Sequence, residues 1–167
     1  MTTDLMQNAM QGKRVHESRV TLTQVMGPSD ANVMGNVHGG ILMKLCDEAG
    51  GMAAIKHAGR QAVTVTVDSM TFHSPVHIGD LLTVTAEITW VGRTSMETRV
   101  VVTAENVLTG AITHTNTAYF VYVALDEQGQ AAPVPPLICE TEVELRRCER
   151  AAQRQTERLK QRRQEGL

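Results

Sequence analysis

Cysteine is scarce in this sequence, and its three copies are not spaced as metal ligands. Cys46, Cys139 and Cys148 form no CxxC pair and leave one thiol over in a chain of 167 residues. Zinc ribbons and disulfide frameworks need paired cysteines at regular spacings. The pattern therefore predicts neither, and it is typical of a protein whose thiols stay reduced in the cytoplasm.

Long apolar runs are also absent. No stretch of about 18 apolar residues marks a membrane span. The first residues lack the continuous apolar segment of a signal peptide. We therefore expect a cytoplasmic chain that does not insert into a membrane.

Neither sign of charge dominates the chain, but the charges are unevenly placed. The 16 basic and 18 acidic side chains give a net charge of −2. Residues 1–137 carry −4, whereas residues 138–167 carry +2 and half of all lysines and arginines. A general nucleic-acid binder shows a basic face across the domain, so no nucleic-acid partner is expected. An anionic ligand would therefore have to be bound by a few individual basic or N–H groups, or by the basic C-terminal tail, residues 138–167.

The common catalytic and nucleotide-binding motifs are missing. The chain has no Walker loop and no dinucleotide fingerprint, and Ser95 lacks the G-x-S-x-G context of a hydrolase nucleophile. The six histidines form neither HExxH nor HxH, and His73 and His77 only flank a turn. We expect no metal and no organic cofactor, and we interpret Cys46 as a packing residue.

The apolar content suffices for one core built around one helix. The chain is 42% hydrophobic, and its length is typical of a single domain of roughly 100–200 residues. Residues 41–58 predict a helix that Gly59 closes. The apolar residues of this helix are distributed around most of its circumference rather than along one face, so we expect the helix to be buried. Gly50 and Gly51 in its interior predict that another backbone approaches closely.

Residues 61–123 predict a β-sheet, because 28 of these 63 residues are Val, Thr or Ile. Strands are expected at 63–67, 82–91, 98–107 and 111–123, after a first strand at 14–25. Short breaks between them favour antiparallel hairpins. The expected architecture is α+β, a sheet of about five strands wrapped around one long helix.

The flanking segments differ in character from this domain, which we place at 14–125. A flexible arm is predicted at 1–13 and a linker at 126–137, where glycine and prolines accumulate. Residues 138–167 predict a charged C-terminal helix with few apolar residues. Such a helix either docks weakly or extends into solvent.

Asp47 and Glu48 are carboxylates on the helix that is expected to be buried. Consecutive helical residues point about 100° apart, so at most one of the two faces the core. A buried carboxylate is costly unless it is paired, which makes it a candidate for chemistry. The alternative is a carboxylate that is solvated at a sheet edge or caps a loop.

Two further segments are suited to binding anions. Glycines at 35–40 leave backbone N–H groups bare at a helix N-terminus, where an anion or a developing oxyanion is favoured. Asn36 in that loop can hold a carbonyl or a water. Arg93, Thr94 and Ser95 offer a cation and two hydroxyls that suit phosphate. Each segment is equally compatible with an ordinary junction or hairpin.

With these residues assembled, the chain resembles the hotdog-fold acyl-CoA thioesterases. The closest group is the brain-type cytosolic acyl-CoA hydrolases and their single-domain bacterial relatives. The resemblance spans about residues 14–125 and rests mainly on N-x-x-G-N-V-H-G-G-x-L-M-K-x-x-D-E-A at 32–49. Supporting segments are F-x-x-P-x-x-x-G-D at 72–80 and V-G-R-T-S-M at 91–96.

The resemblance implies hydrolysis of acyl-CoA to fatty acid and CoA at a site between two protomers. Asp47 of one subunit would activate water or attack directly. Asn36 of the other would orient water or carbonyl, and the Gly40 backbone N–H would stabilise the oxyanion. The assembly implied is a homo-oligomer, with a dimer as the unit and a trimer of dimers above it. The substrate-binding residues implied are His38, Gly39, Arg93, Thr94, Ser95, Arg60 and Lys56.

Two alternatives differ from this reading in class. One is a hotdog hydratase or dehydratase that uses His38 and Glu48 as acid and base. The other is a non-catalytic acyl-CoA-binding regulator whose basic segment 146–163 meets a partner such as nucleic acid. For the tail itself, the expectation is that it either helps hold CoA phosphates or serves subunit contacts.

Overall fold

The fold is given by a computed structural model that describes residues 10–166. One long helix, Gly39–Ala58 (α2), is covered by a five-stranded sheet, and a second long helix, Glu142–Glu165 (α3), follows. The strands of the main sheet are Val20–Val25 (β2), Ala62–Phe72 (β3), Leu81–Val91 (β4), Ser95–Asn106 (β5) and Ala111–Ala124 (β6). The short elements are Lys13–Arg14 (β1), Val15–Ser18 (α1), the 3-10 turn Pro28–Asp30 and Leu137–Ile138 (β7).

The sheet has the order β2-β4-β5-β6-β3, and every neighbouring pair is antiparallel. Alternate residues of β4 and β5 point toward α2 and are buried, as the two-residue period of a strand requires. They form one core with the small residues Ala49, Ala53 and Ala54 of α2. The expected α+β architecture of five antiparallel strands around one helix is therefore confirmed.

Helix α2 ends at Ala58, as its sequence predicts, but it begins at Gly39, two residues before the predicted start. Gly59 ends it in the left-handed conformation, with φ +67°. The expectation that a neighbouring backbone approaches Gly50 is wrong, because a side chain fills that space. A Cβ added at Gly50 would lie 2.5 Å from the Tyr122 hydroxyl.

The predicted first strand, at 14–25, is interrupted by the helical turn α1. The Arg14 backbone N–H donates to the Glu17 carboxylate at 2.6 Å, which caps this turn. The turn buries Val15 and Ser18. Local capping and burial thus override the alternating pattern, and the strand begins only at Val20.

A buried histidine ties α1 to α2 and to the segment after the sheet. The two ring nitrogens of His57 lie 2.9 Å from the Ser18 hydroxyl and 2.9 Å from the Pro135 carbonyl oxygen. A carbonyl only accepts, so Nε2 carries the proton and Nδ1 accepts from Ser18. His57 is therefore a neutral ring with both nitrogens satisfied.

This arrangement makes stability depend on pH. Burial lowers the pKa of His57 from its ordinary value of 6.5. Below about pH 6.5 the unfolded chain takes up a proton that the folded chain resists, so the free energy of unfolding is expected to fall as pH drops through that value. Urea midpoints at pH 7.5 and 5.5 measure this loss. A His57→Gln variant, which has no titrating ring, should lose less between the two pH values, and an equal loss would contradict the assignment.

Helix α3 packs across the face of the sheet that α2 does not cover. Glu97 of β5 points to that face and is 0% exposed. Its carboxylate lies 2.7 Å from Arg154 and 3.0 Å from Arg158, and the Thr89 hydroxyl donates to it at 2.8 Å. Arg147 makes a third contact of this kind, 3.0 Å from Glu87 of β4. The tail is therefore docked through its arginines rather than extended into solvent.

The segments flanking the predicted domain are also packed where the structure describes them. Lys13 pairs with Leu137, and Ala132 and Val134 are buried within the predicted linker. Of the predicted arm, residues 1–9 lie outside the described residues. Among residues 10–166, no helix has the length and apolar character needed to cross a membrane.

Candidate active site

Asp47 lies midway along α2, at the mouth of a groove of about 710 Å³. It is half-buried, whereas Glu48 is exposed and lies 3.6 Å from Lys44. Both residues line this groove, and neither is fully buried, in agreement with the prediction that at most one of the two carboxylates faces the core. The apolar residues lining the groove are Leu22, Met52, Ile55, Ala62 and Val63.

Hydroxyl groups hold one oxygen of the Asp47 carboxylate. The Thr64 hydroxyl donates to Oδ1 at 2.7 Å, and the Tyr122 hydroxyl lies 3.1 Å from Oδ1 and 3.0 Å from the Asp47 carbonyl oxygen. Oδ2 accepts no hydrogen bond from the residues that the structure describes. A carboxylate held in this way can accept a proton from water through its open oxygen.

Two ionisable groups beside Asp47, the Tyr122 hydroxyl and the Cys46 thiol, stay protonated at neutral pH. Burial and the charge of Asp47 raise the pKa of Tyr122 far above its usual range, so its hydroxyl is a donor. Burial raises the pKa of the Cys46 thiol to about 11. Cys46 is thus a poor nucleophile at neutral pH, in agreement with its interpretation as a packing residue.

A second groove, of about 350 Å³, lies at the N-terminus of α2 and contains Asn32, Asn36, Gly39 and Phe72. Oδ1 of Asn32 accepts from the backbone N–H groups of Met34 and Asn36, which orders the loop. The NH₂ group of Asn32 and the whole side-chain amide of Asn36 make no hydrogen bond within residues 10–166. Two amide groups are therefore open to a ligand in this groove.

The predicted oxyanion donor, Gly40, is engaged by a side chain. Its backbone N–H donates to Nδ1 of His38 at 2.9 Å, because His38 caps the helix. Histidine is not among the preferred capping residues, so the sequence did not indicate this contact. The Gly39 backbone N–H has no acceptor in the described part of the chain and is the open amide at this helix end.

The two grooves do not meet within one chain. Eight residues of α2 separate Gly39 from Asp47, which corresponds to about 12 Å at 1.5 Å per residue. Asn36 and Asp47 therefore cannot touch the same small group in a single protomer. The structure does bring Asn36 and Gly39 together, with His38 capping beside them.

The predicted CoA-binding residues lie in three places. Thr94 and Ser95 line a groove of about 420 Å³ under the last turns of α3, which also contributes Arg162. Arg93 is exposed in the β4–β5 turn, and Arg60 faces the loop at 126–128. Lys56 donates to the Arg19 carbonyl at 3.2 Å. The structure therefore does not gather all of these cations around one ligand.

Histidines come close to one another without forming a ligand set. The rings of His73 and His114 have centroids 5.3 Å apart, and His77 lies 3.5 Å from Asp80. Across residues 10–166, no group of three or more His, Cys, Asp or Glu side chains converges as metal ligands would.

Sequence reasoning missed the residues that hold Asp47. Thr64 stands in the alternating V-T-V-T-V segment of β3, and Tyr122 stands in β6, so neither adjoins Asp47 in the chain. The only signal at α2 was Gly50, which marks the close approach of Tyr122. Glu97 was also missed, because its partners lie about 60 residues away.

Comparison with known proteins identifies the family. The family model of the thioesterase superfamily matches residues 34–111. The cytosolic acyl coenzyme A thioester hydrolase of Homo sapiens is 38% identical over 137 residues, covering 81% of this chain and 36% of the human protein. The uncharacterized acyl-CoA thioester hydrolase YkhA of Bacillus subtilis is 36% identical over 147 residues, covering 88% and 86% of the two chains.

Solved structures agree with these relatives. An apo-hexameric acyl-CoA thioesterase superposes with a TM-score of 0.88 at 38% identity, covering 91% of this chain and 97% of the other. An acyl-CoA hydrolase of Staphylococcus aureus, solved with butyryl coenzyme A and coenzyme A, has a TM-score of 0.84 at 35% identity, covering 92% and 93%. Alanine variants of that hydrolase at an Asp, an Asn and a Thr have also been solved.

These matches and the fold together define the class of the protein. The chain belongs to the thioesterase superfamily and has the hotdog fold. It is similar to acyl-CoA thioester hydrolases from bacteria and mammals, and it spans about a third of the length of the mammalian ones.

Proposed function

We propose that this protein is an acyl-CoA thioester hydrolase that releases a fatty acid and CoA in the cytoplasm. The observation that carries the proposal is the Asp47 carboxylate, which lines a largely apolar groove and has one oxygen held by hydroxyls and the other without a hydrogen-bond partner among residues 10–166. Apolar walls suit an acyl chain. The similarity to acyl-CoA hydrolases supports the same chemistry.

In the proposed reaction, Oδ2 of Asp47 takes a proton from a water molecule as the water oxygen attacks the thioester carbonyl. The carbonyl oxygen becomes an oxyanion that backbone and amide N–H groups stabilise. When the C–S bond breaks, the CoA sulfur leaves as a thiolate and takes up the proton. Direct attack by Asp47 would instead form an anhydride that water then hydrolyses. The open oxygen serves either route.

We further propose that the site is completed by a second copy of the chain. The Asp47 groove and the Asn36 groove are about 12 Å apart along α2, and a two-fold axis would let each copy supply the half that the other lacks. Strand β3 is an edge of the sheet, and its Val63, Val65 and Val67 are 44%, 43% and 47% exposed. That edge suits pairing with its own copy. Hexameric neighbours support a trimer of such dimers.

The spacing in the Staphylococcus aureus hydrolase favours Asn32 over Asn36 as the amide that faces the thioester. Its replaced Asn and Thr lie 15 residues before and 17 residues after its replaced Asp. Asn32, Asp47 and Thr64 have those same spacings here. The free NH₂ group of Asn32 is suited to donate to a carbonyl oxygen. Loss of activity in Asn36→Ala but not in Asn32→Ala would contradict this assignment.

The CoA phosphates are proposed to lie near Thr94 and Ser95, beside Arg162 at the end of α3. Arg158 in the same groove is occupied by Glu97 and Asp68, at 3.0 Å each. Arg162 has no ion-pair partner among residues 10–166. An Arg162→Ala variant that keeps its wild-type KM for acyl-CoA would contradict this placement.

A thiol-release assay across acyl chain lengths tests the function. We expect stoichiometric free CoA thiol from saturated acyl-CoA substrates, because the proposed reaction breaks the C–S bond. Loss of the double bond of an enoyl-CoA without thiol release would indicate a hydratase. Tight acyl-CoA binding without turnover would indicate a regulator. Either outcome would overturn the proposal.

A further inference from the structure

We propose that Tyr122 is a positioning residue for Asp47, an inference that rests on the proposed hydrolase function. Its hydroxyl fixes the carboxylate through Oδ1 so that Oδ2 faces the thioester. The hydroxyl lies 3.1 Å from Oδ1 and 3.0 Å from the Asp47 carbonyl oxygen, so its one proton is shared between these two acceptors, and it belongs to a residue that is 1% exposed. Tyr122 adjoins no other predicted site residue in sequence.

Packing within the core holds the Tyr122 hydroxyl in position. The ring stacks on Phe120 with centroids 6.2 Å apart. Its oxygen occupies the space that a side chain at position 50 would fill, 2.5 Å from a Cβ built on Gly50. Thr98 borders the same space, with Oγ1 2.9 Å from that Cβ. A hydroxyl packed in this way has little freedom to leave Asp47.

The chemistry of the pair gives this hydroxyl a role beyond packing. A phenylalanine ring would fill the same apolar space, and only the hydroxyl reaches the carboxylate. A hydrogen bond donated to one carboxylate oxygen favours the ionised form and fixes the carboxylate plane. The pKa of Tyr122 is raised, so the hydroxyl keeps its proton and donates at every pH at which the enzyme would work.

The first test is Tyr122→Phe in the 167-residue chain. We expect kcat for acyl-CoA to fall about tenfold, as the loss of a hydrogen bond to a charged group predicts. KM should change little, because the hydroxyl does not contact the acyl chain. The acid limb of the kcat/KM profile should move to higher pH, because the ionised carboxylate loses a donor. An unchanged kcat together with an unchanged pH profile would overturn the proposal.

A matched pair of glycine variants provides a second test. Gly50→Ala places a Cβ 2.5 Å from the Tyr122 hydroxyl, whereas Gly51→Ala meets only ring carbon at 3.5 Å. Both substitutions raise helix propensity by about the same amount. We expect Gly50→Ala to move the acid limb as Tyr122→Phe does, and Gly51→Ala to leave it in place. Equal shifts in the two variants would contradict the inference.

The double variant separates this effect from general damage to the fold. With phenylalanine at position 122 there is no hydroxyl to displace, so adding Gly50→Ala is expected to lower kcat less than it does in the wild type. Fully additive losses would mean that Gly50→Ala does not act through the hydroxyl. Failure of the hydrolase function itself is distinguishable, since the wild-type protein would then release no thiol.

Discussion

Replacing Asp47 by Asn is expected to lower kcat for acyl-CoA hydrolysis by about 10²–10⁴-fold. The amide keeps the shape of the side chain but cannot take a proton from water, and that range is the usual contribution of a positioned base. Thiol release measures the loss, and a thermal melt confirms that the variant is folded. Activity equal to wild type would show that Asp47 takes no part in the chemistry.

Mixing two inactive chains tests whether the site is shared between copies. If Asp47 and Asn32 act from opposite subunits, an Asp47→Asn chain and an Asn32→Ala chain each lack one half of every site. Coexpressed in equal amounts, they form mixed dimers with one complete site. Random pairing should restore roughly a quarter of wild-type activity. No recovery in mixed dimers would place both residues in one protomer and contradict the shared site.

Replacing Glu97 by Gln is expected to lower the free energy of unfolding by about 3–5 kcal/mol. The amide has the same size as the carboxylate, but it leaves Arg154 without its counter-charge and Arg158 with Asp68 alone, in a site that is 0% exposed at Glu97. Breaking a buried ion pair from one side has a cost of this order. Urea unfolding measures it, and the melting temperature should fall by roughly 10 °C.

Glu105→Gln is the matched control for this prediction. Glu105 lies on the same strand, β5, and makes no ion pair with the residues that the structure describes. Its replacement should change the free energy of unfolding by less than about 0.5 kcal/mol, as a surface substitution does. Equal losses for Glu97 and Glu105 would mean that the buried arginine contacts contribute nothing specific.

The backbone architecture followed from local patterns in the sequence. The apolar residues around the circumference of α2 and the glycine at position 59 predicted that helix, and the Val- and Thr-rich segments predicted four strands. These predictions succeeded because each pattern is carried by residues that are neighbours in the chain. The first strand failed where Glu17 caps a turn that an alternating pattern cannot reveal. Local sequence patterns thus predicted the main helix and four strands, and the error in the first strand also has a local cause, the contact between Arg14 and Glu17.

The candidate site was predictable only in part. Asp47 stood out because a charge on an apolar helix is costly. Thr64 and Tyr122 lie on separate strands, and their approach to Asp47 depends on sheet register, which the sequence does not encode locally. The capping of Gly40 by His38 depends on a rotamer of an unusual capping residue. These contacts required the assembled fold.

The uneven distribution of charge along the chain is explained by ion pairs between the C-terminal helix and the sheet. Arg147, Arg154 and Arg158 of the positive tail face Glu87 and Glu97 of the acidic body. The two halves therefore neutralise each other within the fold. Deleting residues 138–167 would remove the arginines of the tail that pair with Glu87 and Glu97. A raised KM for acyl-CoA in the truncated chain could therefore come from damage to the fold, and it would not by itself show where the CoA phosphates bind.

Helix α2 carries Asp47 of one half of the proposed site and, at its N-terminus, Gly39 of the other half. In the proposed dimer, the length of α2 between Gly39 and Asp47 would help to set the distance between the two active sites. A single inserted residue would turn Asp47 by about 100° and advance it by about 1.5 Å. In the proposed dimer, acyl-chain preference could change by substitution along the groove walls, whereas a change in the length of α2 between Gly39 and Asp47 would alter both active sites at once.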